Sequence, residues 1–88
     1  MKTEKAEVVN RLGIHARPAA QIVKAASLYD CSLTLTVDGD SVNAKSIMGV
    51  MTLAACKGSI IEVTADGEKE DEALKSLVDI IKDGFGEE

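Results

Sequence analysis

The stretch CSLTLTVDG, residues 31–39, restricts the possible folds more than any other part of the chain. Cys31, Leu33, Leu35 and Val37 alternate with Ser32, Thr34 and Thr36. Successive side chains of a strand point to opposite faces, so this segment has one apolar and one polar face. Such a strand belongs to an antiparallel sheet that is covered on one side and wet on the other. Asp38-Gly39 follows as a hairpin turn, with SVNA (residues 41–44) as a short return strand. SIIEVTA (residues 59–65) reads as another strand ending at Asp66-Gly67, and EKAEVV (residues 4–9) as a weaker one with Ala6 and Val8 on one face.

The remaining apolar spacing is helical. Over residues 16–28, Ala19, Ile22, Val23 and Ala26 fall on one face and Gln21, Lys24 and Ser27 on another. Over residues 69–82, Leu74, Leu77, Val78 and Ile81 repeat at helical intervals. Glu70, Asp71 and Glu72 put negative charge at the positive end of that helix, and Gly84 can stop it. A short helix is expected over residues 47–53. The order is β-α-β-β-α-β-α, an α+β arrangement in two layers. The first helix crosses over to a parallel strand with an antiparallel strand inserted between the two, a split β-α-β unit.

At 88 residues the chain reads as a single domain, residues 1–88, with no repeat or linker. Tyr29 and Phe85 are its only aromatic residues, so the core must be aliphatic. The net charge of −5 argues against a nucleic-acid partner. No apolar run approaches the roughly 20 residues of a membrane span, so no direct membrane insertion is expected. The opening MKTEKAEVV is too charged for a secretion signal, which favours a cytoplasmic protein. Cys31 and Cys56 lie far apart in sequence, form no metal-ligand cluster, and read as two reduced, buried thiols.

LGIHARPAA (residues 12–20) holds the single histidine and the single proline of the chain, where strand-like sequence turns helical. Gly13 permits a tight turn, His15 falls at the helix cap, and Pro18 sits in the first turn, where its missing N–H removes no helical bond. The first-turn N–H groups, those of Ala16 and Arg17 included, point toward the imidazole and form an anion site. Arg17 adds a planar, permanently charged fork suited to phosphoryl oxygens. Neutral imidazole can attack phosphorus, and a phosphoryl group on nitrogen leaves readily. Phosphoryl transfer depends mainly on positioning and charge stabilisation, and both are at hand here. With no neighbouring base, phosphate loop or catalytic triad order, a self-contained enzyme is disfavoured. The plainer alternative is a histidine that only caps a helix.

The second informative stretch is NAKSIMGVMTLAA, residues 43–55. Ser46 is a natural cap, although Gly49 three residues on rules out a capping box. Ile47, Met48, Val50 and Met51 are too many apolar residues for one stripe, so Ile47 and Met48 are expected at the surface. They form either a docking patch or a satellite core beneath the sheet edge.

With both stretches in view, LGIHARPAA and NAKSIMGVM together make the chain resemble the HPr family, the histidine-containing phosphocarriers of the bacterial phosphoenolpyruvate-dependent sugar phosphotransferase system. The resemblance covers the whole chain. It implies an open-faced β-sandwich in which a four-stranded antiparallel sheet is covered on one face by three helices, in agreement with the pattern above. It also implies that His15 is phosphorylated on Nδ1 by enzyme I and relieved by enzyme IIA proteins, with Arg17 steadying the phosphoryl group. Ser46 matches the regulatory serine phosphorylated by HPr kinase/phosphorylase, and a catabolite-control transcription regulator is a further implied partner. Ala16, Ala20, Lys24, Ile47, Met48 and Met51 match the docking surface around the histidine. The resemblance implies no bound cofactor, no metal, a monomer, and a protein that is a substrate of enzymes and not itself one. Ala54 and Cys56 depart from the glycine and alanine that many members carry, with redox sensitivity as one consequence of Cys56 beside the docking helix. The tail KDGFGEE (residues 82–88) fits no pattern. Two other functions compete with sugar-linked relay: a regulatory carrier of an incomplete or nitrogen-related system, and a non-catalytic binding module.

Overall fold

The computed structural model of the chain describes residues 1–53 and 55–86; Ala54 and the tail residues Glu87 and Glu88 lie outside the described residues. Its elements are β1 (Lys2–Glu7), α1 (Ala16–Ala26), β2 (Ser32–Val37), β3 (Asp40–Asn43), α2 (Ile47–Thr52), β4 (Ile60–Asp66) and α3 (Glu70–Lys82), followed by a 3-10 turn, Gly84–Gly86. The four strands form one sheet in the order β1-β4-β2-β3, and every neighbouring pair is antiparallel. β1 and β2 therefore run parallel with β4 inserted between them, and α1 connects them: the expected split β-α-β unit.

Alternation decides the two faces of the sheet. Leu33 and Leu35 of β2 lie beside Ala65 and Val63 of β4, and all four are buried. On the opposite face Thr3, Thr64, Thr34 and Asn43 form a continuous row across the four strands. Hydroxyl pairs knit this wet face together, Thr3 with Thr64 at 3.2 Å and Thr36 with Ser41 at 2.7 Å. Asp38 and Gly39 both take positive φ, 51° and 87°, the backbone that the tight β2–β3 hairpin requires.

The helices cover the apolar face. α1 buries Pro18, Ala19, Ile22 and Ala26, and α3 buries Ala73, Leu74, Leu77, Val78 and Ile81. Val23, expected in the buried stripe of α1, is only half-buried against the core. α1 packs on both α2 and α3, while α3 packs on β1 and β4. Among the described residues, no helix is long and apolar enough to cross a membrane, and no cluster of three or more acidic, cysteine or histidine side chains could hold a metal ion.

Several boundaries differ from the sequence expectation. Regular pairing of β1 stops at Glu7 because two residues of the partner segment then face Val8: its N–H bonds to the Ser59 carbonyl (2.8 Å) and its carbonyl accepts from Gly58 N–H (2.8 Å), a bulge at Gly58 (φ +95°). α1 ends at Ala26 and not near Leu28, since the N–H groups of Leu28 and Tyr29 turn back to carbonyls three residues earlier. Within the unassigned tail, Gly84 and Phe85 are buried against the core. Gly84, at φ +69°, ends α3, and Phe85 folds back to a buried position where its carbonyl accepts from Gln21 Nε2 at 3.1 Å. Cys31 is buried as expected, but Cys56 is exposed, in a surface turn where its N–H bonds to Ser59 Oγ (3.1 Å); both thiols are free.

The start of α3 carries the clearest electrostatic signature of the fold. Lys69 precedes it in the left-handed conformation and makes no side-chain cap bond. Glu70 Oε1 accepts from Gly67 N–H at 3.0 Å, and Glu70 Oε2 lies 3.2 Å from the Met1 amino group. The Gly67 hydrogen bond, then the amino group and the Lys2 charge, hold the Glu70 carboxyl below the usual carboxylate range. A lowered folded-state pKa gives stability that is present above the ordinary value of about 4.3 and fades as pH falls through the lowered one. Glu70→Gln is accordingly expected to be less stable than wild type at pH 7 in urea unfolding, with the difference vanishing toward pH 2. A difference that does not change with pH would contradict the assignment.

Candidate functional site

His15 stands at the N-cap of α1 with an extended backbone (φ −118°, ψ −166°), and its carbonyl accepts the first helical bond, from Ala19 N–H at 2.9 Å. Its side chain makes no capping hydrogen bond to the helix, which removes the plain capping role. The first turn of α1 holds no acidic residue, so no carboxylate on this helix competes there for an incoming anion. His15 is half-buried, Ala16 and Arg17 are exposed, and Pro18 is buried with its ring toward the core. Ala16, Ala20 and Lys24 are all exposed, and their four-residue spacing makes one outward stripe running from His15 along α1.

The approach to His15 is fixed by contacts that sequence reasoning did not find. Gly13 has φ +67°, and a Cβ added there would collide with the Ala55 carbonyl oxygen and stand 2.7 Å from Cys56 Cα. Only glycine fits both the conformation and the space. Ile14, which is buried, donates its N–H to that Ala55 carbonyl at 2.9 Å. Asn10, also buried, donates from Nδ2 to the Gly13 carbonyl at 2.8 Å, and its own carbonyl accepts Gly13 N–H at 3.2 Å. The one local signal was Gly13 itself. The 55–59 segment is distant in sequence and nothing local announces it.

Those contacts tie the His15 loop to the chain just after α2. Ser46 caps α2 as expected, its Oγ accepting from Gly49 N–H at 3.1 Å. Lys45 Nζ bonds to the Tyr29 carbonyl at 2.7 Å, pinning the start of α2 to the chain just after α1. The far end of α2 leads to Ala55, against the His15 loop. Ser46 stands at the opposite end of α2, a six-residue helix roughly 9 Å long, from the connection that leads to Ala55. Between them Ile47, Met48 and Met51 are 43%, 74% and 44% exposed, while Val50 is buried. Of the two readings of this apolar run, Val50 alone takes the core role and the other three form a surface patch. Leu12, three positions before His15, is an apolar residue at 66% exposure that sequence reasoning passed over.

The open-faced sandwich thus presents a helix terminus bearing one imidazole and one guanidinium, and an exposed apolar patch on α2. The comparisons with known proteins carry this further. Residues 2–83 match the family model described as the HPr component phosphorylation site of the phosphotransferase system. The phosphocarrier protein HPr of Treponema pallidum is 47% identical over 88 residues, spanning 100% of both chains. That of Neisseria meningitidis is 42% identical over 87 residues, covering 99% of this chain and 98% of the relative. Among solved structures, HPr from Thermoanaerobacter tengcongensis superposes with a TM-score of 0.94 at 45% identity, covering 100% of this chain and 99% of the other. Crh of Bacillus subtilis, a catabolite repression protein seen as a swapped dimer, superposes at 0.77 with 42% identity, covering 94% and 95%. The chain belongs to the HPr family of phosphocarrier proteins of the phosphotransferase system.

Gly13→Ala tests how the loop is held. The left-handed backbone costs about 1–3 kcal/mol for a side chain, and the clash with the 55–56 segment adds to it. A fall in Tm on the order of 10 °C is expected in thermal unfolding. A Tm within about 2 °C of wild type would show that the loop is not wedged there.

Proposed function

We propose that this chain carries a phosphoryl group on His15 between enzyme I, charged from phosphoenolpyruvate, and enzyme IIA proteins that serve sugar uptake. The observation that carries the proposal is the placement of His15 at the positive end of α1, in a first turn free of acidic residues. An imidazole nitrogen, Nδ1 by the family resemblance, attacks the phosphorus held by enzyme I. The new N–P bond forms as the donor's bond to phosphorus breaks, and the donor group keeps the electron pair. The reverse exchange hands the group to enzyme IIA. Arg17 and the first-turn N–H groups steady the transferred oxygens. The chain acts in the cytoplasm as a monomer, without cofactor, and as the substrate of its partner enzymes. Ala16, Ala20, Lys24, Ile47, Met48 and Met51 form the surface on which those partners dock.

Ser46 supplies regulation in this reading, as the target of HPr kinase/phosphorylase, and phosphorylated Ser46 is the form presented to a catabolite-control transcription regulator. A phosphoserine carries about −1.5 to −2 charges at neutral pH, which a helix N-terminus tolerates, so α2 survives. The charge adjoins exposed Ile47 and Met48 and must be desolvated or repelled when a partner covers them. A second reading, regulatory carriage without a sugar permease, draws support from the likeness to Crh. The set of enzyme IIA proteins that accept the phosphoryl group separates the two.

The direct test is incubation with enzyme I and phosphoenolpyruvate, followed by the mass of the intact protein. An acid-labile gain of one phosphoryl group is expected, and His15→Ala is expected to show none while unfolding as cooperatively as wild type. Labelling of His15→Ala would remove His15 from the role. Arg17→Ala is expected to slow quenched-flow transfer roughly tenfold or more. Its stability is expected to change by no more than about 0.5 kcal/mol. Unchanged transfer would remove Arg17.

Ser46→Asp is expected to slow enzyme I-dependent phosphorylation at low salt by about tenfold, or ~1–3 kcal/mol with the full dianion. The effect should weaken as salt screens it, with an amide NMR spectrum changed only near α2. An unchanged low-salt rate, or a slow rate with widespread spectral change, would contradict an electrostatic brake.

A further inference from the structure

We infer that Asn10 is a positioning residue for phosphoryl transfer: its buried carboxamide locks the turn from which His15 projects. The inference rests on the proposed role of His15 as acceptor. Asn10 is the one polar residue in the buried set among the described residues, at 1% exposure. An amide is costly to bury unless it is hydrogen-bonded, and a packing role would be filled better by an aliphatic side chain. What the carboxamide does here is specific. Nδ2 donates to the Gly13 carbonyl (2.8 Å) while the Asn10 carbonyl accepts Gly13 N–H (3.2 Å), so residues 10 and 13 are joined twice.

The closed turn is gripped from two sides. On one side Gly13 and Ile14 lie against the 55–56 segment. On the other, a Cβ on Gly84 would meet Val9 Cγ2 at 3.4 Å and Asn10 Cβ at 3.7 Å, so the turn after α3 backs Asn10 directly. Three consecutive residues are thus held by three different parts of the fold. Gly13 is held by Asn10, Ile14 by Ala55, and His15 through its carbonyl by Ala19. Asn10 contributes the only one of these bonds made by a side chain. Phosphoryl transfer depends on in-line placement of the nucleophile, and a misplacement of about 1 Å from a remote change can cost on the order of a hundredfold.

The test compares Asn10→Ala, Asn10→Ser and Val78→Ala, the last a core truncation in α3 away from the His15 loop. Each is assayed for kcat and KM as substrate of enzyme I, for thermal stability, and for the imidazole 15N–1H signals of His15. Asn10→Ala is expected to lower kcat about tenfold to a hundredfold and to leave KM within about twofold, because the docking residues are untouched. Its His15 ring signals should shift or broaden. Asn10→Ser keeps a hydroxyl donor and should recover part of the rate. Val78→Ala should lose stability and keep wild-type kcat and ring signals. A kcat for Asn10→Ala within about twofold of wild type, or an equal loss in Val78→Ala, would overturn the inference. Should Asn10→Ala fail to fold, Asn10→Ser is judged by the same criterion. A wild-type chain that takes no phosphoryl group would refute the acceptor role instead. In that case the ring signals still decide whether Asn10 positions His15, and unchanged signals in the Asn10 variants would refute it.

Discussion

A hydrogen bond from Ile14 N–H to the Ala55 carbonyl fastens the loop before α1 to the chain that follows α2. On one side of it lies the loop that presents His15; on the other lies the connection from α2 to β4. The bond forms only because Gly13 brings its backbone against Ala55 and Cys56, closer than any side chain would allow. The buried Ile14 side chain then anchors the loop to the core. The geometry of His15 is thus set by tertiary contact as much as by α1, whose N-terminus supplies the field but not the location.

The same join explains why a chain with so small a core leaves apolar residues in water. α2 gives Val50 to the interior and keeps Ile47, Met48 and Met51 outside. Exposed thioethers adapt to differently shaped partners, which suits the proposed exchange of a phosphoryl group with more than one enzyme. The regulation proposed at Ser46 would fit this layout without conformational change. Ser46 caps the opposite end of α2 from the connection to Ala55, so a phosphate there would alter what a partner meets and not how His15 is held. The polar face of the sheet, with its row of Thr3, Thr64, Thr34 and Asn43, is left to water.

Much of this was legible in the sequence because local rules carried it. The alternation around Leu33 and Leu35 defined a one-sided sheet, and the element order defined the split β-α-β unit. Ser46 announced its own cap, and the excess of apolar residues after it announced that Ile47 and Met48 reach the surface, though not whether they form a patch or a satellite core. What was not legible depends on partners distant in the chain. Regular pairing of β1 ends where Gly58 and Ser59 together face Val8, and Phe85 returns to the core because Gly84 reverses the backbone. Cys56, expected to be buried, is exposed because the local turn with Ser59 outweighs the general preference of free cysteine for the interior. Asn10 carries no signal of its own in the sequence, and only the packed structure shows it buried beside Gly84 and bonded to Gly13.

The most direct measurement of this account is native-state hydrogen exchange of the Ile14 amide. If the His15 loop is fastened to the core through Ala55, that amide opens only with global unfolding, and its protection matches that of the amides in the central strand β4. Exchange as fast as that of the exposed Asp38-Gly39 turn would show that the loop moves independently of the fold, and would contradict a preorganised His15.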